Sequence, residues 1–166
     1  MRTLSDETGK QARFIKAGQA HPAPDTAIAY DARPLPHERL KAPMQMSKRE
    51  QAQLERCLAA TLTEACETAK AQVIGFSWLT HVVDYARFPA SLKVIWVFDT
   101  QADQDRALAD GQDRYMIELT ATALQACGLT LAPVAARVHF DSEQQCQRAN
   151  AGNWPQRLAR VYAWRG

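Results

Sequence analysis

Residues 73–99 read VIGFSWLTHVVDYARFPASLKVIWVFD. Two apolar runs flank a short polar insert that carries one proline. The first run, FSWLTHVVDY, is rich in the aromatic and β-branched residues that suit a pleated surface. With unbroken alternation, Phe76, Trp78, Thr80 and Val82 share one face and Leu79, His81, Val83 and Tyr85 share the other. Both faces are mixed, so the run does not say which is inward. The second run, LKVIWVF, is the clearest strand in the chain, with Leu92, Val94, Trp96 and Phe98 opposite Lys93, Ile95 and Val97. Pro89 marks the turn between them. Adjacent strands with a short link are expected to pair as an antiparallel hairpin.

Upstream lies SKREQAQLERCLAATLTEACETAKAQ, residues 47–72. Ser47 followed three residues later by Glu50 is the spacing of a capping box. Leu54, Leu58, Leu62 and Ala65 recur at helical spacing, and Cys66 and Ala69 extend the stripe. A helix this long and one-sided needs a sheet to cover. Downstream, Asp99 and Thr100 close the second strand and can cap a short polar helical turn. Asp110 and Gly111 break it. A second true helix follows, with Met116, Leu119, Ala123 and Cys127 in one stripe and Gly128 as its stop. VAARVHFD then reads as a third strand from Val134 onward. The order helix, strand, strand, helix, strand predicts a two-layer α+β sandwich. Its helices cover one face; the other is left open or is covered by a terminus.

The ends differ from this body, which spans residues 47–142. Residues 1–46 read as a flexible arm. HPAPDTAIAYDARPLPHERLKAPMQM holds five prolines and no sustained period, and such a segment buries too little to offset its ordering entropy. A short helix near residues 10–17 is the one element expected there. Residues 143–166 form a basic, aromatic extension. Leu158, Val161 and Trp164 have helical spacing, with Trp154 four before Leu158, so this tail can pack back on the body.

The chain has 166 residues, 46% hydrophobic and 23% charged, which fits one domain of ordinary composition. No apolar run approaches the roughly 20 residues of a membrane span, and the polar N-terminus argues against a secretory signal. Cys57, Cys66, Cys127 and Cys146 form no C-x-x-C pair. They read as reduced, small hydrophobes, which fits a cytoplasmic protein. Net charge is +2 overall but −2 across residues 48–140, a balance that permits a basic face without demanding one.

No phosphate-cradling glycine loop and no H-E-x-x-H occurs. His21 and His37 lie in the arm. His81 and His139 sit on strands and could be neighbours across the sheet near Asp84 or Asp99, but two ordinary polar strand residues account for them better. DTQADQD lacks the ligand spacing of a calcium loop and reads as a solvated turn. No catalytic residue, cofactor or metal is expected.

Several landmarks together carry a resemblance. They are Gly75 with Phe76, Leu79 with Thr80, Lys93 with Val94, Val97 with Phe98, and the run from Pro133 to Phe140 and Asp141. With the long leading helix, this segment resembles ribosome-binding factor A over just over half the chain. The resemblance implies a type II K-homology-like fold and binding to small-subunit ribosomal RNA. It lacks the G-x-x-G loop of K-homology domains. ADGQDRYM offers one glycine before the helix, where that family has a modified element.

The expectation is therefore a non-enzymatic RNA- or ribosome-associated factor that works by shape and phosphate contact. Its candidate contacts are Arg87, Lys93, Arg114, Arg137, Arg157 and Arg160. The expected partner is ribosomal RNA or the small ribosomal subunit, with no membrane involved. The alternative is a protein–protein interaction module presenting Trp78, Trp96, Trp154 and Trp164.

Overall fold

The long helix begins as the capping box requires. Ser47 Oγ accepts from the Glu50 backbone N–H at 3.3 Å, and the Glu50 carboxylate accepts from the Ser47 N–H at 2.7 Å. In the computed structural model, which describes residues 3–5, 10–16 and 45–163, helix α1 (Lys48–Lys70) then runs for 23 residues. Leu54, Leu58, Leu62, Ala65, Cys66 and Ala69 are all buried, as their spacing demands.

Gly75, at φ 79°, turns the chain into the sheet, and a Cβ there would overlap the Asp103 side chain. Strand β3 (Phe76–Asp84) pairs antiparallel with β4 (Lys93–Phe98). Ser91 closes their connection by accepting from the Asp84 N–H at 3.1 Å and donating to the Asp84 carbonyl at 2.7 Å. Thr100 then caps α2 (Gln101–Ala109). Gly111, at φ 77°, makes the break, and α3 (Gln112–Ala126) follows. Strand β5 (Val138–Ser142) pairs parallel with β4.

The sheet is larger than expected. Residues 3–5 (β1, Thr3–Ser5) and 10–16 (β2, Lys10–Lys16) form an antiparallel hairpin, and β2 pairs antiparallel with β3. The five strands lie in the order β1-β2-β3-β4-β5. The expected helix near residue 10 is therefore a strand. Seven residues are too few for a self-sufficient helix, whereas the open edge of β3 offers their backbone groups a partner. The proline-rich stretch of the expected arm, residues 17–44, lies outside the described residues.

Two further expectations change. A bulge between Phe76 and Trp78 breaks the alternation of β3. Phe76 faces the helices, while Trp78 lies on the opposite face. The final strand starts at Val138 and not Val134, because β4 pairs with it only from Val94 onward. Residues Val134–Arg137 form a 3-10 turn instead.

The main core lies between the sheet and helices α1 to α3. Leu58, Leu62, Leu79, Val94, Trp96, Phe98, Met116 and Leu124 are fully buried there. The chain is thus a mixed α+β domain with its helical layer on one face of the sheet. The C-terminal segment covers the other face through α4 (Glu143–Asn150), α5 (Trp154–Arg157) and a π-helical turn (Leu158–Tyr162). A second, smaller cluster forms under it from Trp78, Ile95, Val97, Cys146, Trp154, Leu158 and Tyr162. The π-helical turn carries Tyr162 inward and leaves Val161 51% exposed, so Val161 does not pack as its spacing suggested.

Candidate functional site

Three of the expected cationic contacts gather at one end of the sheet. Arg87 is exposed in the 3-10 turn Tyr85–Arg87 that leaves β3, with Nη1 3.6 Å from Asp84 Oδ2. Lys93 opens β4 and is half-buried. Arg137 immediately precedes β5 and donates from Nη1 to the carbonyls of Pro89 at 2.6 Å and Ala90 at 3.2 Å. That fork ties the start of β5 to the β3–β4 connection. Arg87 and Lys93 flank the β3–β4 connection, and Arg137, from much later in the chain, thus lies at the same end of the sheet. His139 lies beside them, and its imidazole pKa is lowered from 6.5, first by burial and then by the Lys93 charge.

The other candidates fall elsewhere. Arg114 is exposed in the first turn of α3. The opposite end of that helix, at Cys127, meets Cys57 of α1, near the Glu55 that reaches Tyr85 at the β3–β4 connection. Arg114 is therefore roughly 20 Å from the basic end along a helix rising 1.5 Å per residue. Arg160 is exposed on the C-terminal π-helical turn.

Arg157 is not a surface contact. It is only 8% exposed, and its Nε and Nη2 donate to Asp141 Oδ2 at 2.7 Å and Oδ1 at 2.8 Å. Nη1 donates to Asn150 Oδ1 at 3.1 Å. Asp141 is itself buried and requires this counter-charge. Tyr162 adds a hydroxyl donated to Asp141 Oδ2 at 2.7 Å. Burial, followed by the Asp141 charge, pushes the Tyr162 phenol far above its ordinary value. The Asp141 hydrogen bond raises Arg157. Sequence reasoning missed this cluster, although Trp154, Arg157 and Leu158 share one helical face by spacing and so were due to point inward together.

The tryptophans expected at a partner surface are also interior. Trp96 is fully buried in the main core and donates from Nε1 to Thr120 Oγ1 at 3.1 Å. Trp78 and Trp154 stack edge to face with centroids 4.8 Å apart. Glu143 accepts from both indoles, at 2.6 Å from Trp78 and 2.9 Å from Trp154. These residues stabilise the domain and present nothing to a partner. Trp164 lies outside the described residues.

The strand histidines do not meet. His81 lies under α1, where Nε2 is 3.1 Å from Glu55 Oε2 and Tyr85 donates its hydroxyl to Glu55 Oε1. His139 lies on the opposite face against the Tyr162 ring, 5.5 Å between centroids. Strand β4 separates them, and neither Asp84 nor Asp99 joins them: Asp84 caps the following turn and Asp99 is exposed. Each histidine keeps one buried ring nitrogen without a hydrogen-bond partner, Nδ1 of His81 and Nε2 of His139.

The cysteines divide. Cys66 and Cys146 are buried and in no disulfide, and burial raises the Cys146 thiol. Cys57 and Cys127 are joined in a disulfide, which corrects the reading of all four as reduced. Cys57 lies beside the buried stripe of α1 and Cys127 caps α3. The packing of the two helices brings their Cα atoms to 5.8 Å, inside the range a disulfide spans. Among the described residues, no three His, Cys, Asp or Glu side chains are grouped to hold a metal ion, and no helix is long and apolar enough to cross a membrane. Compared with known proteins, the chain matches no family model, no curated protein and no solved structure.

Proposed function

We propose that this chain is a non-enzymatic RNA- or ribosome-associated factor, working in the cytoplasm, that holds structured RNA at the β3–β4 end of its sheet. One observation carries the reading: Arg87, Lys93 and Arg137 come to the same end of the sheet, Arg87 where the chain leaves β3, Lys93 at the start of β4 and Arg137 just before β5. The order of elements supports it too. A long helix, two antiparallel strands, a helix pair broken at a glycine and a last strand after a proline follow the arrangement implied by the ribosome-binding factor A resemblance and its type II K-homology-like fold. Three phosphate contacts give only modest affinity, since each contributes a salt-dependent term of about one counter-ion released. The RNA's shape must supply the rest, as it does when proteins bind structured RNA.

The test is sedimentation of the tagged chain with ribosomal subunits at low and high salt, with extraction of bound RNA. Salt-sensitive recovery of RNA is the expected result. Recovery of one protein after nuclease treatment, with no RNA dependence, would replace this reading with that of a protein-interaction module.

A further inference from the structure

The geometry points to the Cys57–Cys127 disulfide as a reversible thiol–disulfide clasp that fixes the C-terminal end of α3 without being needed for the fold. This inference stands apart from the RNA reading. Its first support is position. Both cysteines are half-buried where α1 meets the end of α3, whereas Cys66 and Cys146 are fully buried. A thiol in solution can reach the bridge and not the other two, so exchange is confined to this pair.

The second support is what lies beneath. Leu58 and Leu62 of α1 and Met116 and Leu124 of α3 are fully buried against the sheet, so the two helices share an apolar core besides the bridge. A small secreted domain leans on its disulfides because its core is insufficient. Here one apolar cluster joins α1 and α3 to the sheet, and neither Cys66 nor Cys146 is in a disulfide.

The third support is what the bridge holds. The last buried residue of α3 is Leu124. Beyond it the helix closes through Gly128, at φ 72°, and the Leu129 N–H donated to the Leu124 carbonyl at 3.0 Å. The chain then passes through partly buried Leu129, Leu131 and Val134 to Arg137, whose guanidinium grips the β3–β4 connection. The disulfide is the covalent anchor at the start of that path.

The chemistry balances with a dithiol reductant. One reductant thiolate attacks one sulfur of the bridge, the Cys57–Cys127 bond breaks, and the released sulfur leaves as a thiolate that takes a proton. The second reductant thiol then attacks the mixed disulfide and expels the remaining cysteine. Two electrons pass to the protein, and the reductant ends as its own disulfide.

The full chain is treated with excess dithiothreitol under native conditions and its thiols are counted by alkylation. Circular dichroism and amide hydrogen exchange are followed in parallel. Two additional thiols are expected while the folded spectrum persists. Exchange should rise several-fold over residues 125–137 and stay slow in the buried stripe of α1, and oxidised glutathione should reverse both changes. The C57S/C127S double variant should match the reduced protein whatever the redox conditions. Thiols that appear only as the spectrum is lost would overturn the inference, because the bridge would then be a structural staple. So would free Cys57 and Cys127 in the untreated protein, or release without any change in exchange. If the variant fails to fold, the spectrum of the reduced native chain decides between these outcomes.

Discussion

Asp141 shows how one side chain can organise a whole segment. It is buried, its Oδ1 accepts from the Ser142 N–H at 2.8 Å, and Arg157 and Tyr162 supply the rest of its partners. Removing one partner of a buried pair strands the other charge, at a cost of about 3–5 kcal/mol. Asp141→Ala should therefore lower stability by that order, and the Asp141→Leu/Arg157→Met double variant should recover most of it, as urea unfolding would show. A single variant no worse than the double would mean the pair is not coupled. His139 gives a second prediction at this scale. Its neighbours are Lys93 on β4 and Tyr162 on the C-terminal turn. Its folded pKa is depressed, so below its ordinary value of 6.5 the unfolded chain binds more protons than the folded one. The stability it contributes is present above that value and lost as pH falls. His139→Gln should flatten the dependence of stability on pH between about 7 and 5. Tyr162 acts at the other extreme: its raised pKa keeps its contribution intact below 10 and lets it fall only as pH rises beyond.

At the scale of elements, the readable parts were those in which local pattern and packing agree. The capping box at Ser47 and the stripe of Leu54, Leu58 and Leu62 specified α1, and the alternation of Val94, Trp96 and Phe98 against Ile95 and Val97 specified β4. The misread parts depended on partners distant in sequence. The bulge in β3 sends Phe76 and Trp78 to opposite faces, which no count of alternating residues reveals. Residues 10–16 became a strand because β3 had an open edge, a fact of the assembled sheet. The basic end was legible only as separate cations, since Arg137 reaches the β3–β4 connection through the Pro89 and Ala90 carbonyls, a contact that only the folded chain makes. Gly75 tests this level directly. It combines a left-handed φ with a Cβ position filled by Asp103. Gly75→Ala should cost about 1–3 kcal/mol, seen as a lower urea midpoint with unchanged slope. A neutral outcome would show that β3 enters the sheet by another path.

Across the described residues, acidic charge is concentrated at the α2–α3 end of the domain, which steers a polyanion away from it. The α2–α3 end carries Asp99, Asp103, Asp105, Asp110, Asp113 and Glu118 against only Arg106 and Arg114. The β3–β4 end carries Arg87, Lys93 and Arg137 against Asp84, which pairs with Arg87, and Glu55, which is buried against His81 and Tyr85. Exposed charges beyond about 8–10 Å are screened at physiological salt, so the two ends act nearly independently. The break at Gly111, where the resemblance sets its modified element, is thus on the side that repels phosphate. If RNA is held at the basic end, Arg87→Ala should weaken RNA binding and reduce the slope of log affinity against log salt by about 0.7–0.9, the share of one phosphate contact. Arg114→Ala, made at the acidic end, should leave both affinity and slope unchanged within error. Filter binding of structured RNA across a salt series measures both. The opposite pattern, with Arg114 sensitive and Arg87 silent, would move the interface to the α2–α3 break and leave the basic end as a device that only braces the start of β5.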